Sequence, residues 1–423
     1  MAERLDVLLF GVTGLVGRYG VIHLCKLASQ KRLTWGVAGR DEERIKDVLQ
    51  KLKEKTGDKT IADIPIIFGD MYNEESIYEM TSKTKVLINA CGPLRSIGEI
   101  VVKACISTKT HYVDVSAEEN FIDKILVKYH EKAREAGVYI VNACGVDCIA
   151  YDLGILYLQK KFPGTLNSVE TFLRMDTDDS TLPGPSYNNS TWKSTIDLML
   201  NKSELKDLKK KLPDNLPKLR PELSAKALPF KPRAEDGWAV VLTGSDRTVM
   251  LRTQQYLYEE KKIRPVQIQT YYILKQLWHI LVFIFFGIMF SILVQFEAGR
   301  KLLMKYPYFF SCGMFGVNEP SEIMCEKAWF RLTMIGKGWG VSETKFAEEP
   351  HHGMVVQVKG KNPGYGATSL CLVLAGIVLA TETAHLPRRY GVYTPGIVFG
   401  NTSLRKQLGE NGVTFEVIDE FKL

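Results

Sequence analysis

The sequence predicts an α/β protein whose first third forms a doubly wound parallel sheet. The main observation is a set of six short apolar runs, which alternate with segments of helical spacing rich in Glu, Lys and Leu. Uninterrupted apolar strands that alternate with helices are typical of a parallel sheet covered on both faces. The second observation is a glycine-rich turn directly after the first run. The runs occupy residues 6–11, 33–39, 64–70, 85–92, 111–116 and 137–145.

The composition is that of a globular protein with a mild positive charge. The 423 residues are 45% apolar and 24% charged, and the formal net charge is +7. This charge is spread along the chain, so it suits an anionic cofactor or a membrane surface and does not predict a nucleic-acid partner. The cysteines form no CxxC pair, and no histidine cluster stands near Cys144 and Cys148. We therefore predict free cytosolic thiols and no metal site.

The turn GVTGLVG at residues 11–17 predicts a dinucleotide site. Between a strand and a helix, Gly11 permits the tight turn, Gly14 lets backbone amides approach a pyrophosphate, and Gly17 lets helix and strand pack closely. The spacing is GxxGxxG rather than GxGxxG, so the prediction depends on the alternating strands that follow. The predicted cofactor contacts in this turn and at the end of the fourth run are Gly11, Thr13, Gly14, Leu15, Val16, Gly17, Ala90, Cys91 and Gly92.

The end of the second run favours NADP(H) over NAD(H). An NAD site usually carries an acidic residue there, whereas this chain has Gly39 and Arg40, and a guanidinium suits a 2′-phosphate. Asp41 follows directly, and we interpret it as the cap of the next helix. Asp70, at the end of the third run, is a candidate acceptor for the adenine amino group, with helix capping as the alternative.

The remainder of the chain predicts a second sheet and a long core helix. Apolar runs at 238–244, 265–273, 328–340 and 354–361 are the predicted strands of that sheet. Residues 366–386 predict a long helix, and polar residues near both of its ends favour the protein core over a membrane span. Residues 201–233 are rich in Lys and Pro, which indicates either a solvated linker or a patch that contacts anionic lipid.

Several motifs taken together resemble the saccharopine dehydrogenase-like oxidoreductases, and the resemblance runs almost end to end. It implies a Rossmann domain that binds NADP, an inserted second α+β domain with a mixed sheet, and a C-terminal segment that returns to the first domain. The expected boundaries are 1–150, 151–362 and 363–423. Animal members of this family are similar in carrying a hydrophobic insertion and are associated with membranes and lipid droplets. The motifs are GVTGLVG (11–17), VAGR (37–40), NACGPLRSIGEIVVKAC (89–105), YVDVSAE (112–118), GVDCIAYDLG (145–154), TWKS (191–194) and HLPRRYGVYTPG (385–396).

The sequence leaves the catalytic assignment open. Cys148 and Ala150 stand where the family tends to have Ser and Pro, which weakens the inference of inherited catalysis. Asp114 and Asp147 stand at the carboxyl ends of the fifth and sixth predicted strands, and a carboxylate at that edge of the sheet could relay a proton during hydride transfer. Loop-fixing hydrogen bonds and helix capping are the alternative roles. The full set of candidates is Asp114, Ser116, Glu118, Asp147, Cys148 and Asp152.

Residues 277–296, LWHILVFIFFGIMFSILVQF, contain no charged side chain. A helix of this length would be about 30 Å long, the thickness of a bilayer's hydrocarbon core. Basic residues flank both ends, which argues for two cytosolic flanks rather than a single span. We expect a re-entrant or surface-embedded element, such as a helical hairpin that bends near Gly287. A buried core helix and a homodimer interface are the alternatives.

Two functions follow from these observations. The first is an NADP(H)-dependent oxidoreductase on the cytosolic face of a membrane or lipid droplet, acting on an apolar, lipid-like substrate. The second is a catalytically inactive scaffold that binds a nucleotide or a lipid ligand on droplets. The intact glycine turn and Arg40 favour the first function, and the altered loop at 145–154 favours the second.

Overall fold

The polypeptide is divided between two units, each built on its own β-sheet. The computed structural model describes residues 3–179, 186–212, 215–241, 244–341 and 349–423. The first unit contains residues 1–147, 203–212 and 365–411, and the second contains 148–202, 213–364 and 412–423. The segment 363–423, expected to return to the first domain as a whole, is thus shared between the two units.

The strands are β1 (Leu5–Phe10), β2 (Trp35–Gly39), β3 (Ile66–Phe68), β4 (Thr84–Asn89), β5 (His111–Asp114), β6 (Tyr139–Val141), β7 (Thr165–Thr177), β8 (Trp238–Val241), β9 (Gln267–Leu274), β10 (Ala328–Trp339), β11 (His352–Lys361), β12 (Gly391–Tyr393) and β13 (Thr414–Lys422). The helices are α1 (Leu15–Lys31), α2 (Glu42–Thr56), α3 (Glu74–Ser82), α4 (Leu94–Ser107), α5 (Glu119–Ala136), α6 (Val146–Lys161), α7 (Asn189–Leu200), α8 (Lys202–Lys211), α9 (Ser245–Lys261), α10 (Leu277–Leu293), α11 (Glu297–Lys305), α12 (Pro307–Phe310), α13 (Glu322–Lys327), α14 (Thr368–Thr381), α15 (Pro395–Phe399) and α16 (Leu404–Glu410).

A seven-stranded parallel sheet forms the centre of the first unit. Its order is β12-β6-β5-β4-β1-β2-β3, so the chain reverses its direction of travel across the sheet between β1 and β4. Helices α3, α4 and α5 pack side by side, and α1 packs with α2 and α14 as a second layer. The predicted doubly wound sheet is confirmed. A dinucleotide binds such sheets at the carboxyl ends of the strands, beside this reversal point.

Helix α14 is the core helix that the sequence predicts for residues 366–386. It packs on β1, β4 and β5, where a β-carbon on Gly376 would stand 2.5 Å from the Ile88 side chain. The stretch Pro363–Thr381 is the one helix in the described part of the chain that is long and apolar enough to cross a membrane, yet 78% of it is buried in the protein. Its hydrophobicity is therefore that of a core helix.

A six-stranded mixed sheet forms the centre of the second unit, as the family resemblance implies. Its order is β13-β11-β10-β7-β9-β8, with β7 and β9 parallel and the other pairs antiparallel. Helix α6 covers one face, because a β-carbon on Gly154 would meet Met334, and Gly336 would likewise meet Leu158. The four predicted strands correspond to β8, β9, β10 and β11, although residues 242–243 of the first prediction lie outside the described part. Strands β7 and β13 were not predicted.

The basic stretch 201–233 serves two different parts of the fold. Its first half forms α8, and residues 203–212 belong to the first unit. Its second half runs across the open face of the second sheet, where Phe230 packs on Phe172 and Tyr271 and the Lys226 N–H donates to the Tyr271 hydroxyl. This half therefore covers a sheet face and is not a free linker.

Helix α10 lies along the second unit with one stripe of side chains packed and the rest exposed. Ile280 and Phe290 are buried, and Phe290 joins a cluster with Trp192 of α7 and Leu303 of α11. The helix runs through Gly287 without a break, so the expected hairpin bend is wrong. One glycine costs a helix only about 1 kcal/mol relative to alanine, which the apolar helix formers around it outweigh.

Candidate cofactor site and neighbouring carboxylates

The glycine turn joins β1 to α1 at the carboxyl edge of the parallel sheet. Gly11 has a φ of +96°, and a β-carbon there would stand 2.8 Å from the Cys91 backbone nitrogen. A β-carbon on Gly17 would stand 2.2 Å from the Gly11 carbonyl oxygen. Both glycines are therefore required by the protein's own packing: one lets the turn approach the loop after β4, and the other lets α1 pack on the turn.

Gly14 differs, because internal packing does not require it. A β-carbon there would meet only the Gly11 oxygen, at an ordinary 3.6 Å, and the residue is exposed with unstrained φ and ψ of −80° and 164°. It occupies the N-cap position of α1, and no side chain caps the helix. The first amides of a helix have no acceptor within it, so those of Leu15, Val16 and Gly17, at the positive end of the helix dipole, are the ones that a bound anion would use. This cradle fits a pyrophosphate.

Arg40 is exposed directly after β2, beside the glycine turn. Burial raises the pKa of the Cys91 thiol to about 11, and the Arg40 guanidinium is close enough to act against that shift. Asp41 caps α2 by accepting from the Arg44 N–H at 3.0 Å, as interpreted from the sequence. One oxygen of its carboxylate is thereby engaged with the helix.

Asp70 lies half-buried after β3. One carboxylate oxygen accepts from the Tyr72 N–H at 3.1 Å, while its own N–H donates to the Ser76 hydroxyl. The cap of α3 is Asn73, so the helix-capping role considered for Asp70 is not what the structure has. Ala90, Cys91 and Gly92 form the loop after β4, and the Cys91 N–H donates to the Asn89 side chain at 3.0 Å.

Asp114, at the end of β5, is buried and bonded on both carboxylate oxygens. One oxygen accepts from the N–H and hydroxyl of Ser116, at 2.9 and 2.6 Å, and from the Ala143 N–H at 3.0 Å. The other accepts from the Asn142 amide at 2.7 Å. Burial raises the pKa of Asp114, and these hydrogen bonds act against the rise. This geometry is that of a clamp between the loops after β5 and β6.

Asn142 is a residue that the sequence reasoning missed. Its amide nitrogen holds Asp114, whereas its buried carbonyl oxygen has no hydrogen-bond partner among the described residues. The signal that could have found it is the tetrapeptide NACG, which occurs at 89–92, where its Asn is the last residue of β4, and at 142–145, directly after β6. The two asparagines hold the strand between them, since Asn89 donates to the Tyr112 hydroxyl on β5 at 2.9 Å.

Asp147 lies in the first turn of α6, next to α14. The preceding residue, Val146, donates its N–H to the Thr368 hydroxyl at 3.4 Å. Asp147 keeps solvent-exposed surface, yet the protein around it desolvates the carboxylate and raises its pKa from 3.8 to about 6. An accessible acid that titrates near neutrality can exchange a proton with a ligand.

The other candidates have structural contacts. Cys148 is buried, with its sulfur 3.7 Å from the Ser245 hydroxyl, and Asp152 accepts from the Thr253 hydroxyl at 2.8 Å. Both side chains join α6 to α9. Glu118 occupies the N-cap position of α5, where its carbonyl accepts from the Phe121 N–H. In the described ranges no group of three His, Cys, Asp or Glu side chains is arranged to hold a metal ion.

Comparisons with known proteins agree with this geometry. The family described as saccharopine dehydrogenase NADP binding domain matches residues 7–141. A human saccharopine dehydrogenase-like oxidoreductase is 36% identical over 97% of both chains. A lipid droplet localized protein from Caenorhabditis elegans is 34% identical over 100% of both chains.

The structure of saccharopine dehydrogenase (L-Glu forming) from Saccharomyces cerevisiae covers 98% of this chain and 100% of its own, with a TM-score of 0.55. The two sequences are 14% identical, so this likeness shows a shared fold alone. The family match places a nicotinamide dinucleotide in the first unit. With relatives that match from end to end, the chain belongs to the saccharopine dehydrogenase-like oxidoreductases.

Proposed function

We propose that this protein is an NADP(H)-dependent oxidoreductase that is attached to the cytosolic face of a membrane or lipid droplet and acts on an apolar, lipid-like substrate. The observation that carries the proposal is the uncapped N-terminus of α1, where Gly14 leaves open space that the fold itself does not need. Arg40 supports NADP(H) over NAD(H), because Asp41, the acidic residue beside it, is used as a helix cap.

Each part of the site then has a chemical role. The amides of residues 14–17 would bind the pyrophosphate, and Arg40 would pair with the 2′-phosphate. Asp70 and the loop at 90–92 would border the same edge. The nicotinamide, when bound, supplies or accepts the hydride. Asp147 would move the accompanying proton, because its carboxyl is accessible and its pKa lies near 6.

The exposed face of α10 supports attachment to a lipid surface. Leu281, Phe285 and Ile288 are each more than half exposed, and apolar faces of this size mark interaction sites. A ring contact of 5.7 Å between Phe286 and Phe309 joins this face to the exposed aromatic side chains of α12. The lipid-droplet location of the Caenorhabditis elegans relative points to the same kind of partner.

A catalytically inactive scaffold that binds a nucleotide or lipid is the second candidate. The observation that favours it is that Asp114, Cys148 and Asp152 all make structural contacts, which leaves Asp147 as the accessible acid among the candidates. Turnover separates the two functions. An enzyme oxidises NADPH in the presence of one or more members of a panel of carbonyl and enoyl lipids, whereas a scaffold binds NADPH without oxidising it.

The cofactor assignment is tested by replacing Arg40 with alanine. Loss of a charge-assisted pair with the 2′-phosphate costs about 1.5–3 kcal/mol, so Arg40→Ala should weaken NADPH binding at least about tenfold. NADH binding should stay nearly unchanged, and both are measured by fluorescence titration. Arg44→Ala, which removes an exposed arginine one turn into α2, is the matched control. Equal losses for both cofactors would contradict the assignment.

A further inference from the structure

Helix α8 is attached to the first unit beside the predicted cofactor edge. Residues 203–212 are a short segment of the first unit that lies in the sequence between two stretches of the second unit, 148–202 and 213–364. Arg95, in the first turn of α4, donates to a Glu204 carboxylate oxygen at 2.8 Å. The Asn120 amide, in the first turn of α5, is 3.5 Å from the same oxygen, and Lys209 pairs with Glu119 at 2.7 Å.

These contacts lie at a defined part of the sheet edge. Helices α4 and α5 begin just beyond the carboxyl ends of β4 and β5, so their first turns border the edge where a dinucleotide binds. Arg40 follows β2, on the opposite side of β1. If Arg40 holds the adenosine half and the glycine turn holds the pyrophosphate, the nicotinamide half extends toward β4 and β5, where α8 is attached.

We propose that α8 is part of the cofactor site: a strap that closes over the nicotinamide half, with Glu204 as the positioning residue that keeps it closed. This inference rests on the proposed function, since it takes NADP(H) as the ligand. Glu204 does not react in this arrangement. It orients α8 through Arg95 and Asn120, and the closed strap retains the nucleotide and excludes water from the nicotinamide.

The attachment of α8 is of a kind that can open and close. Leu208 is its buried anchor, while the ion pairs remain partly in solvent: the Arg95 and Glu204 side chains are 28% and 42% exposed. Partly exposed ion pairs are weak, so opening does not require the unit to unfold. The outer side of the same helix carries a separate pair, Lys210 with Asp207, whose side chains are 67% and 68% exposed.

The test measures how fast the full-length protein releases NADPH. Glu204→Gln keeps the shape of the side chain and removes its charge, and should speed release about two- to fivefold, the effect of losing one partly exposed ion pair. Exchanging the charges in the double variant Arg95→Glu/Glu204→Arg should bring the rate back toward wild type. Asp207→Asn, which breaks the outward pair, should leave it unchanged. Stopped-flow fluorescence after dilution or competition gives the rates.

Trypsin provides a second readout that a merely structural role would not produce. NADPH should slow cleavage after the lysines at 209–211 in the wild type and give less protection in Glu204→Gln, while both proteins melt at the same temperature without nucleotide. If the wild type binds NADPH but release is unchanged in Glu204→Gln and NADPH does not protect α8, the strap is wrong and the proposed function stands. If the wild type does not bind NADPH, both are wrong.

Discussion

Gly17 lies so close to Gly11 that a β-carbon on Gly17 would stand 2.2 Å from the Gly11 carbonyl oxygen and 2.7 Å from the Val12 α-carbon. Backbone atoms cannot yield as flexible side chains do, so this contact fixes how α1 leaves the turn. Gly14 has no such constraint, with its nearest neighbour at 3.6 Å. Within this one short motif, Gly17 is therefore required for folding, whereas Gly14 is left for ligand binding.

Gly14→Ala should fold normally and bind NADPH poorly. The added methyl group makes only an ordinary contact within the protein, so we expect the free energy of unfolding to change by less than about 0.5 kcal/mol. It would occupy the space where a pyrophosphate approaches the amides, and affinity should fall at least about tenfold. Gly17→Ala is the comparison: overpacking there should cost about 1–3 kcal/mol of stability. Urea unfolding and nucleotide titration of both variants decide, and equal stability losses would contradict this account.

We expect the protonation state of Asp147 to determine how turnover depends on pH. Its carboxyl is protonated below a pKa of about 6, so for reduction by NADPH kcat/KM should fall as pH rises through about 6. Because the folded pKa lies above the ordinary value of 3.8, the group also favours folding below pH 3.8, and this contribution is lost as pH rises through about 6. Asp147→Asn should remove the inflection near 6. A profile that keeps this limb in the variant would assign the proton to another group.

We expect His111 to account for part of the decrease in the free energy of unfolding at acid pH. Burial, with a smaller effect of the Arg4 charge, lowers the pKa of His111 from 6.5 to about 4. Its Nδ1 accepts from the Tyr139 N–H at 3.1 Å, which requires the neutral ring. A depressed folded pKa contributes stability that is present above pH 6.5 and is lost as pH falls toward 4. His111→Gln should therefore lose less stability between pH 7 and 5 than the wild type, as measured by urea unfolding. Parallel losses would exclude His111.

The sequence predicts six of the seven strands of the parallel sheet, because most of them are buried on both faces and read as continuous apolar runs. The seventh, β12, is only three residues long and forms no such run. Strand β7 is not recognisable as an apolar run, because it carries buried polar residues. Glu170 pairs with Lys337 at 3.4 Å, and Asn167 donates to the Pro221 carbonyl. Strand β13 is not recognisable either, because most of its residues are exposed at the sheet edge and need not be apolar.

The candidate site divides in a similar way. The glycine turn has a local signature, because the contact that requires Gly17 is with Gly11 and Val12, only a few residues away, and Gly11 has a positive φ. The attachment of α8 has none: Glu204 and Arg95 are more than a hundred residues apart, and a lysine-rich helix carries the same pattern whether it is docked or free. Asn142 and Asp114 likewise meet only when β5 and β6 pair.

We expect the exposed face of α10 to enter lipid from one side. At 17 residues the helix is about 25 Å long, shorter than a bilayer's hydrocarbon core of about 30 Å. The elements before and after it, β9 and α11, both belong to the second unit. Protease added to intact membranes should therefore cut on both sides of the helix from the cytosolic face. Protection of one side only would mean a true span.

Replacing Leu281, Phe285 and Ile288 by serine should release the protein from droplets and leave NADPH binding intact. These side chains are 68%, 62% and 57% exposed, so folding does not depend on them. Each apolar side chain contributes about 1.5–3 kcal/mol when it leaves water, so the triple variant should partition at least about a hundredfold less to artificial droplets in a flotation assay. Leu228→Ser, at an 80% exposed leucine outside this face, is the matched control. If the wild type stays soluble without detergent as a dimer that the triple variant dissociates, α10 is a subunit interface, because the same apolar face would then be covered by a second copy of the chain.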